Sequence, residues 1–343
     1  MAQAPQVQAQ PGATSAGAAR SRIPGVRGWG RDSRGKSAWR RGWILAALAL
    51  LVTCVLLFHR EIPNRVGNLG SLVETFLPWT ALALPVLLVL GLVRRSATAL
   101  VALLLPVLAW GNLFGALLTD KSGGPYDFTV VQHNVNASNT DIAGTVAVLE
   151  AAKPDVIALE ELSAGHELDA FRQDLAAEYP YHVVEGTVGL WSKDRLSDSG
   201  PVDIKIGWTR ALRTTVDTPH GAVAVYVAHM PSVRVNLDAG FTANQRDNSA
   251  QALGQALAAE KLSRVVLLGD LNGTMNDRSL APVTSQMRSA QGSAGSGFGF
   301  SWPASLPMAR IDQIMTRGVK PTDAWTLPRT GSDHLPIAAR IEL

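Results

Sequence analysis

Val265-Val266-Leu267-Leu268-Gly269-Asp270-Leu271-Asn272 is the stretch on which the reading of this chain turns. Four apolar residues, two of them β-branched, predict a strand buried on both faces. The run stops at Gly269, where a missing side chain lets the backbone leave the strand and approach a ligand closely. It then delivers Asp270 and Asn272, two residues apart and on one side wherever the backbone stays extended. Taken alone, the stretch reads equally well as an Asx turn after a core strand. Other runs in the chain end in the same residue types, and they tip the balance toward a site.

Residues 128–136 open as a β run and end in Asn134 and Asn136. Residues 156–159 form a second apolar run, closed by Glu160-Glu161, of which period two lets only one face a given side. Residues 222–228 deliver His229, although a lone histidine after a strand is commonly just a satisfied core or surface group. Arg310-Ile311-Asp312 follows a Gly/Ser-rich loop expected over 289–299, and Ser332-Asp333-His334-Leu335-Pro336 precedes a last alternating strand. Periodicity predicts helices over 141–153, 166–177 and 246–261. Strands are expected over 181–184, 189–192, 202–208 and 211–216. Many short strands, few helices and polar residues gathered where strands stop imply an α+β layered sandwich with its site along one edge of two sheets.

The first third of the chain is different. Residues 1–41 are Gln, Ala, Gly, Ser and Arg with few apolar anchors, the composition of a disordered basic tail. Apolar runs follow at about 42–58, 72–93 and 97–118. Each approaches the ~20 residues that cross a bilayer core as a helix. They predict a three-helix anchor over 42–119, with Glu74 at the mouth of the second span. The alternatives are a cleaved signal peptide for the first run, or a buried core helix for one of them. Lys and Arg are densest in the tail and recur at Arg94-Arg95, which places both inside and the domain over 120–343 outside the cell membrane.

The net charge of +3 conceals opposite halves. Residues 1–120 hold 12 Lys and Arg against 4 Asp and Glu, whereas residues 121–343 hold 19 against 24. A net-acidic outer domain weighs against general nucleic-acid binding. The single cysteine, Cys54, falls in the first apolar run, so the outer domain has no thiol chemistry.

Pooling the strand ends gives Asn134, Glu161, His229, Asp270, Asn272, Asp312, Asp333 and His334. All are oxygen or imidazole donors, which suit Mg²⁺ or Mn²⁺ better than a soft metal. A carboxylate-held cation beside two histidines suits attack by water on a phosphoester.

The ordered motifs Gln-x-Asn-Val, Pro-Asp-(apolar)-Leu-x-Glu, strand-His, Gly-Asp-x-Asn, Arg-Ile-Asp and Ser-Asp-His-x-Pro resemble those of the endonuclease/exonuclease/phosphatase (DNase I-like) superfamily, over about residues 126–343. The resemblance implies a four-layered α/β/β/α sandwich. It implies that Glu161 is the main metal ligand, assisted by Asn134 and Asp333. It further implies that Asp270 orients or deprotonates the attacking water, that Asn272 holds the phosphate, and that His229 and His334 contact phosphate oxygens. Asp312 would then fix the His334 tautomer. Two positions depart from the pattern: Asn136 stands where nucleases of this type often carry Asp, and Glu160 where Gln is usual, with its side chain expected to face away. Arg246, Trp302 and Arg310 are expected to be structural or substrate-facing. Three spans before such a domain also resemble a membrane-bound bacterial branch that includes a teicoplanin-resistance protein.

The leading expectation is an outward-facing, metal-dependent phosphoester hydrolase acting on a lipid or lipid-linked cell-wall precursor, linked through that branch to glycopeptide resistance. The alternatives are an extracellular nuclease, and a catalytically silent binding module on the same fold.

Overall fold

The computed structural model describes residues 38–65, 67–236 and 240–343. The basic tail expected over 1–41 lies outside the described residues as far as residue 37.

The apolar runs form a compact helical unit: α1 (Trp43–Phe58), α2 (Leu69–Thr75), α3 (Ala83–Val93), α4 (Ala97–Ala102) and α5 (Leu104–Phe114). Trp43–Glu61 and Ala97–Leu118, of 19 and 22 residues, are each long and apolar enough to cross a membrane. The middle run is not straight, because the Leu69–Thr75 and Leu77–Val93 segments meet at 68°. Phe76 leaves helical geometry (φ −104°, ψ 14°) and Pro78 follows in a 3₁₀ turn. Proline cannot donate back to the carbonyl four residues earlier, and its ring excludes that carbonyl, so the break falls at the end of α2. Large apolar side chains such as Ile44, Leu51, Val86, Val93 and Leu108 are exposed on the outside of this unit.

The rest of the chain builds two six-stranded sheets packed face to face. The strands and helices are, in order, β1 (Phe128–Asn134), α6 (Ile142–Glu150), β2 (Val156–Glu160), α7 (His166–Leu175), β3 (Tyr181–Glu185), β4 (Val188–Ser192), β5 (Leu196–Pro201), β6 (Ala211–Thr218), β7 (Gly221–Ala228), β8 (Val235–Asn236), β9 (Gly240–Phe241), α8 (Asn244–Ala259), β10 (Val265–Asp270), α9 (Ala281–Thr284), β11 (Arg288–Ser289), α10 (Ala290–Ala294), β12 (Asp312–Arg317), β13 (Lys320–Thr326) and β14 (Ile337–Glu342). One sheet runs β13-β14-β1-β2-β4-β3 and the other β11-β12-β10-β7-β6-β5.

β10 shows why its sequence is a continuous apolar run. Val266 and Leu268 enter the core between the sheets beside Val130 and Ala158. Val265 and Leu267 pack on the opposite face beneath Leu253 and Leu257 of α8. Each such side chain taken out of water contributes roughly 1.5–3 kcal/mol. Ile157 and Leu159 of β2 lie likewise beneath Leu149 of α6 and Phe171 of α7. The layers are therefore helix, sheet, sheet, helix, as expected.

Two local expectations fail. The strand before β6 is Leu196–Pro201, and not residues 202–208. An edge strand can be polar because it pairs on one side only, while Ile204, which looked like strand, is buried by packing without joining a ladder. The loop expected over 289–299 contains α10, which starts because the Ser289 hydroxyl accepts the Gly292 N–H at 3.2 Å.

The helical unit is docked on the sandwich. Phe298 and Phe300 stack at 5.0 Å, Phe300 lies 5.8 Å from Trp79, and Phe298 lies 5.9 Å from Phe114. Trp79 Nε1 donates to the Met308 carbonyl at 2.8 Å.

Candidate active site

Parallel pairing gathers the polar strand ends at one edge. β1 and β2 finish in register at Asn134 and Glu160, and β7 and β10 run parallel in the facing sheet, releasing His229 and Asp270. β12 runs antiparallel to β10, so its first residue, Asp312, is the register partner of Asp270. β14 runs antiparallel to β1 and begins three residues after His334.

Asn134 ties the two sheets, its Nδ2 donating to Asp270 Oδ2 at 3.1 Å and to Glu161 Oε1 at 3.2 Å. Asp270 Oδ1 accepts the Asn272 N–H at 2.9 Å, and its Oδ2 accepts Asn272 Nδ2 at 3.2 Å. Asn272 turns into the left-handed region (φ 46°), which amides tolerate, and its Nδ2 also reaches the Met230 carbonyl at 2.9 Å. The strand does not continue extended, yet the Asx turn and the site prove to be one structure. Arg246, wholly buried, donates to the Asn272 carbonyl at 2.9 Å and pairs with Asp277 at 2.7 Å. It therefore positions the loop that carries Asn272.

Across the site, His334 Nδ1 meets Asp312 Oδ2 at 2.9 Å, and its Nε2 lies 3.8 Å from Asp270 Oδ2. Asp312 also accepts from Ser301 Oγ at 2.6 Å and Gln132 Nε2 at 3.2 Å. Burial works to raise the Asp312 carboxyl, but the His334 charge and these hydrogen bonds hold it below its ordinary range. Burial alone would depress His334; the charges of Asp312 and Asp270 outweigh it and lift the imidazole to about 10. Burial lifts Asp270 to about 7, Asp312 adding to the effect and His334 opposing it. His229, 3.7 Å from Asp270 and 3.5 Å from Glu161, goes the other way. Burial, then the charges of Arg210 and His334, push it well below its usual value. The edge thus holds one imidazolium, one neutral imidazole and one carboxyl poised near neutrality.

Glu161 is bent outward at φ 61°, with its side chain 36% exposed. Its Oε2 accepts the Ala137 N–H at 3.3 Å, and the neighbouring Asn136 side chain donates to Asp333 Oδ1 at 2.7 Å. One turn therefore ties both predicted metal carboxylates. An amide at position 136 provides that donor, where a carboxylate would repel Asp333. Glu161 and Asp333 line a cleft of about 480 Å³ together with Asp270, Asn272 and His334. Trp302, Arg234, Thr75 and Phe76 form part of its wall.

The all-oxygen set at the mouth, two open carboxylates and two amides, fits a hard divalent cation. Asp270, Asp312 and His334 also offer ligand atoms within 4.8 Å of one another. That trio fits a cation poorly, because both Asp312 oxygens are already bonded and a protonated His334 repels positive charge.

All eight predicted residues therefore converge. Glu160, expected to face away, does not: it is buried between the sheets, with its Oε2 accepting from Gln132 Nε2 at 2.7 Å. Position 161 takes the outward side through its left-handed turn, which leaves 160 pointing into the sandwich. Arg210 was missed altogether. Its guanidinium lies against the His229 ring and 5.2 Å from Trp208, and no motif surrounds it in the sequence. Of the other Asp312 partners, Gln132 opens the Gln-x-Asn-Val motif but carried no signal of its own, and Ser301 lies in none of the quoted motifs.

A family model described as "Endonuclease/Exonuclease/phosphatase family" matches residues 131–334. No curated protein matches the sequence. Among solved structures, an endonuclease/exonuclease/phosphatase from Beutenbergia cavernae DSM 12333 is similar at TM-score 0.51 and 18% identity, over 64% of this chain and 72% of that one. D. rerio TDP2 complexed with single strand DNA product gives TM-score 0.54 at 17% identity, over 63% of this chain and 99% of that one. A mutant beta toxin from Staphylococcus aureus with bound magnesium ions gives 0.50 at 16%, over 62% and 99%. The likeness in fold covers the sandwich, and the sequence match spans its polar edge from β1 to His334. The chain belongs to the endonuclease/exonuclease/phosphatase family.

Proposed function

We propose that this protein is a membrane-anchored, divalent-metal-dependent phosphoester hydrolase whose substrate is a lipid or lipid-linked phosphate of the cell envelope. One observation carries the chemistry: Asp270, with its carboxyl near neutrality, and the imidazolium of His334 face each other across 3.8 Å at the cleft. At neutral pH the ionised fraction of Asp270 takes a proton from water as its oxygen forms a bond to phosphorus. The bond from phosphorus to the leaving oxygen breaks in the same displacement. His334, held by Asp312, directs its Nε2 proton at a phosphate oxygen, where charge builds in the transition state. Neutral His229 provides a further hydrogen bond to the phosphate, and Asn272, whose amide hydrogens go to Asp270 and the Met230 carbonyl, holds the base in place. Glu161, with Asn134 and Asp333, would hold a divalent cation, which when bound offsets charge on the phosphate and the leaving oxygen. The magnesium in the beta toxin structure supports that choice of ion.

The membrane reading is supported by two helices of spanning length, by the unpartnered apolar side chains around them, and by the place of Thr75 and Phe76 in the cleft wall. A site walled by its own anchor favours substrates presented at a bilayer surface, since tethering raises their effective concentration. Placement outside the cell rests on the Lys and Arg distribution, and a role in glycopeptide resistance on the architecture alone.

The test is full-length protein in phosphatidylcholine vesicles, assayed with a lipid phosphodiester, a polyprenyl pyrophosphate, plasmid DNA and an aryl phosphate. Each is run with Mg²⁺, with EDTA, and with Asp270→Ala. Cation-dependent turnover of a lipid phosphate that vanishes in the variant supports the proposal. Preferential DNA cleavage replaces it with a nuclease, and no turnover at all favours a binding module.

A further inference from the structure

The catalytic cleft adjoins a second cavity, of about 180 Å³, in the seam between the helical unit and the sandwich. Met275, Phe298 and Phe300 wall it from the sandwich, and Pro78, Phe114 and Leu117 from the helical unit. Thr75 lines both spaces, so the two meet at a single small side chain. Arg310, Gln291 and Gln313 stand behind the same walls, but their unpartnered side-chain atoms are shut off from the cavity. The surface it offers is therefore mainly hydrocarbon and aromatic.

Volume, place and connection together say what fills it. An apolar cavity of about 150 Å³ takes up one benzene molecule, so this one accommodates about six carbon atoms, which is one chain and not two. Phe114 and Leu117 lie at the end of the third apolar run, whose Leu113 and Leu118 beside them are exposed. A hydrocarbon chain thus reaches the cavity from the face that the membrane reading turns toward lipid. Because the cleft begins at Thr75, a chain in the cavity can belong to the molecule whose phosphate lies in the cleft. Water finds few partners along such walls, whereas each methylene transferred there from water is favourable.

We propose that the seam cavity is the chain subsite of this protein, taking the carbons nearest the phosphate of an ester built on a single hydrocarbon chain. The phosphate itself stays in the cleft, beside Asp270 and His334. The inference rests on the hydrolase reading of that cleft and narrows it to substrates whose chain begins at the phosphate. Two chains set back behind a glycerol match neither the volume nor the close approach at Thr75, and a nucleic acid has no hydrocarbon to place there.

The experiment uses full-length protein in phosphatidylcholine nanodiscs with Mg²⁺, and alkyl phosphonates from ethyl to dodecyl, whose C–P bond resists hydrolysis. Dissociation constants are read by phosphorus NMR of the phosphonate, with protein-free nanodiscs as the blank. Affinity should rise up to about fourfold per methylene while the cavity fills. Gly292 lines the cavity, and a Cβ added there meets only Ser289 atoms, at 3.6 and 3.7 Å, so Gly292→Leu occupies the space without a clash. That variant should bind ethylphosphonate like the wild type and hexylphosphonate at least tenfold more weakly, while Gly292→Ala should stay close to the wild type for both. Partition into the bilayer affects both proteins alike, so the ratio of their affinities reads the cavity alone. The ratio should grow with chain length up to about six carbons and stay level beyond. A ratio that is flat across the series, with ethylphosphonate still bound, overturns the chain subsite and leaves the hydrolase reading intact. An equal ratio for dihexanoyl phosphatidic acid overturns the assignment to a single chain. Failure of even ethylphosphonate to bind removes the phosphate site of the cleft, and the inference with it.

Discussion

Glu74, the penultimate residue of α2, accepts the backbone N–H of Arg278 at 3.0 Å and the Arg278 Nε at 3.0 Å, and it is wholly buried in doing so. Arg278 lies in the loop that follows Asn272, and its guanidinium continues to the His59 carbonyl at 2.7 Å. One ion pair therefore joins the helical unit to the loop that carries a site residue. Removing one partner of a buried, hydrogen-bonded pair leaves the other charge uncompensated. Arg278 is partly open to water, so Glu74→Gln should cost about 1–3 kcal/mol, below the range for fully buried pairs. The expected readout is a lowered Tm together with faster proteolysis near residue 278. A Tm equal to that of the wild type would show that the aromatic contacts alone hold the two parts together.

The same pair marks where sequence reasoning stopped. Glu74 looked like a carboxylate at a membrane mouth because its cation is 204 residues away and no local pattern connects them. Strand ends were legible for the opposite reason: in Val265–Asp270 and Val156–Glu160 burial on both faces leaves a continuous apolar run that stops abruptly. Pooling those stops recovered Asn134, Glu161, His229 and Asp270, whereas Asp312 heads its strand and was found from the Arg-Ile-Asp motif. Side-chain direction was not legible at Glu160-Glu161, since a single left-handed residue reverses the alternation. β5 was invisible because an edge strand needs no apolar signature.

Asp270 should set the acid limb of the pH profile. With its carboxyl at about 7 in the cation-free protein, kcat/KM should rise as pH increases through that value and the base becomes ionised. A divalent cation nearby favours the ionised form, so the limb should move to lower pH as Mg²⁺ is raised. Rate profiles at two Mg²⁺ concentrations check this, and a limb that ignores Mg²⁺ would place the cation away from Asp270.

His334 and Asp312 should fail together. Asp312→Asn removes the charge that keeps His334 protonated, and His334→Gln removes the proton donor, so each should lower kcat/KM by about 10²–10⁴. The double variant should be little worse than either single one. The pair also makes a stability prediction with a definite sign. His334 titrates at about 10 when folded, against 6.5 for an unperturbed histidine. Its contribution is therefore complete below about 6.5 and is lost as pH rises toward 10. On the order of a few kcal/mol should disappear across that window in the cation-free protein, measured by urea midpoints. The slope should flatten in His334→Gln.

Glu160 gives the most discriminating test, because its charge state and its orientation are predicted together. Burial raises its carboxyl well above the ordinary 4.5, and the nearby Asp312 and Asp270 push the same way against the Gln132 hydrogen bond. The folded protein therefore keeps a proton on Glu160 that the unfolded chain gives up above about 4.5. Stability must fall as pH rises from there toward the folded value, since the unfolded state then binds fewer protons. Glu160→Gln keeps the shape, removes the titration and retains a hydrogen-bonding group toward Gln132. The variant should match the wild type at pH 4.5 and be the more stable of the two at pH 8. Its kcat should stay within about twofold, because a neutral acid and a neutral amide present nearly the same field to Asp312. Equal urea midpoints at pH 8 would mean that Glu160 is ionised in the folded state and that water reaches the interior between the sheets. A large loss of activity would instead make the Glu160 proton part of the relay through Gln132 and Asp312.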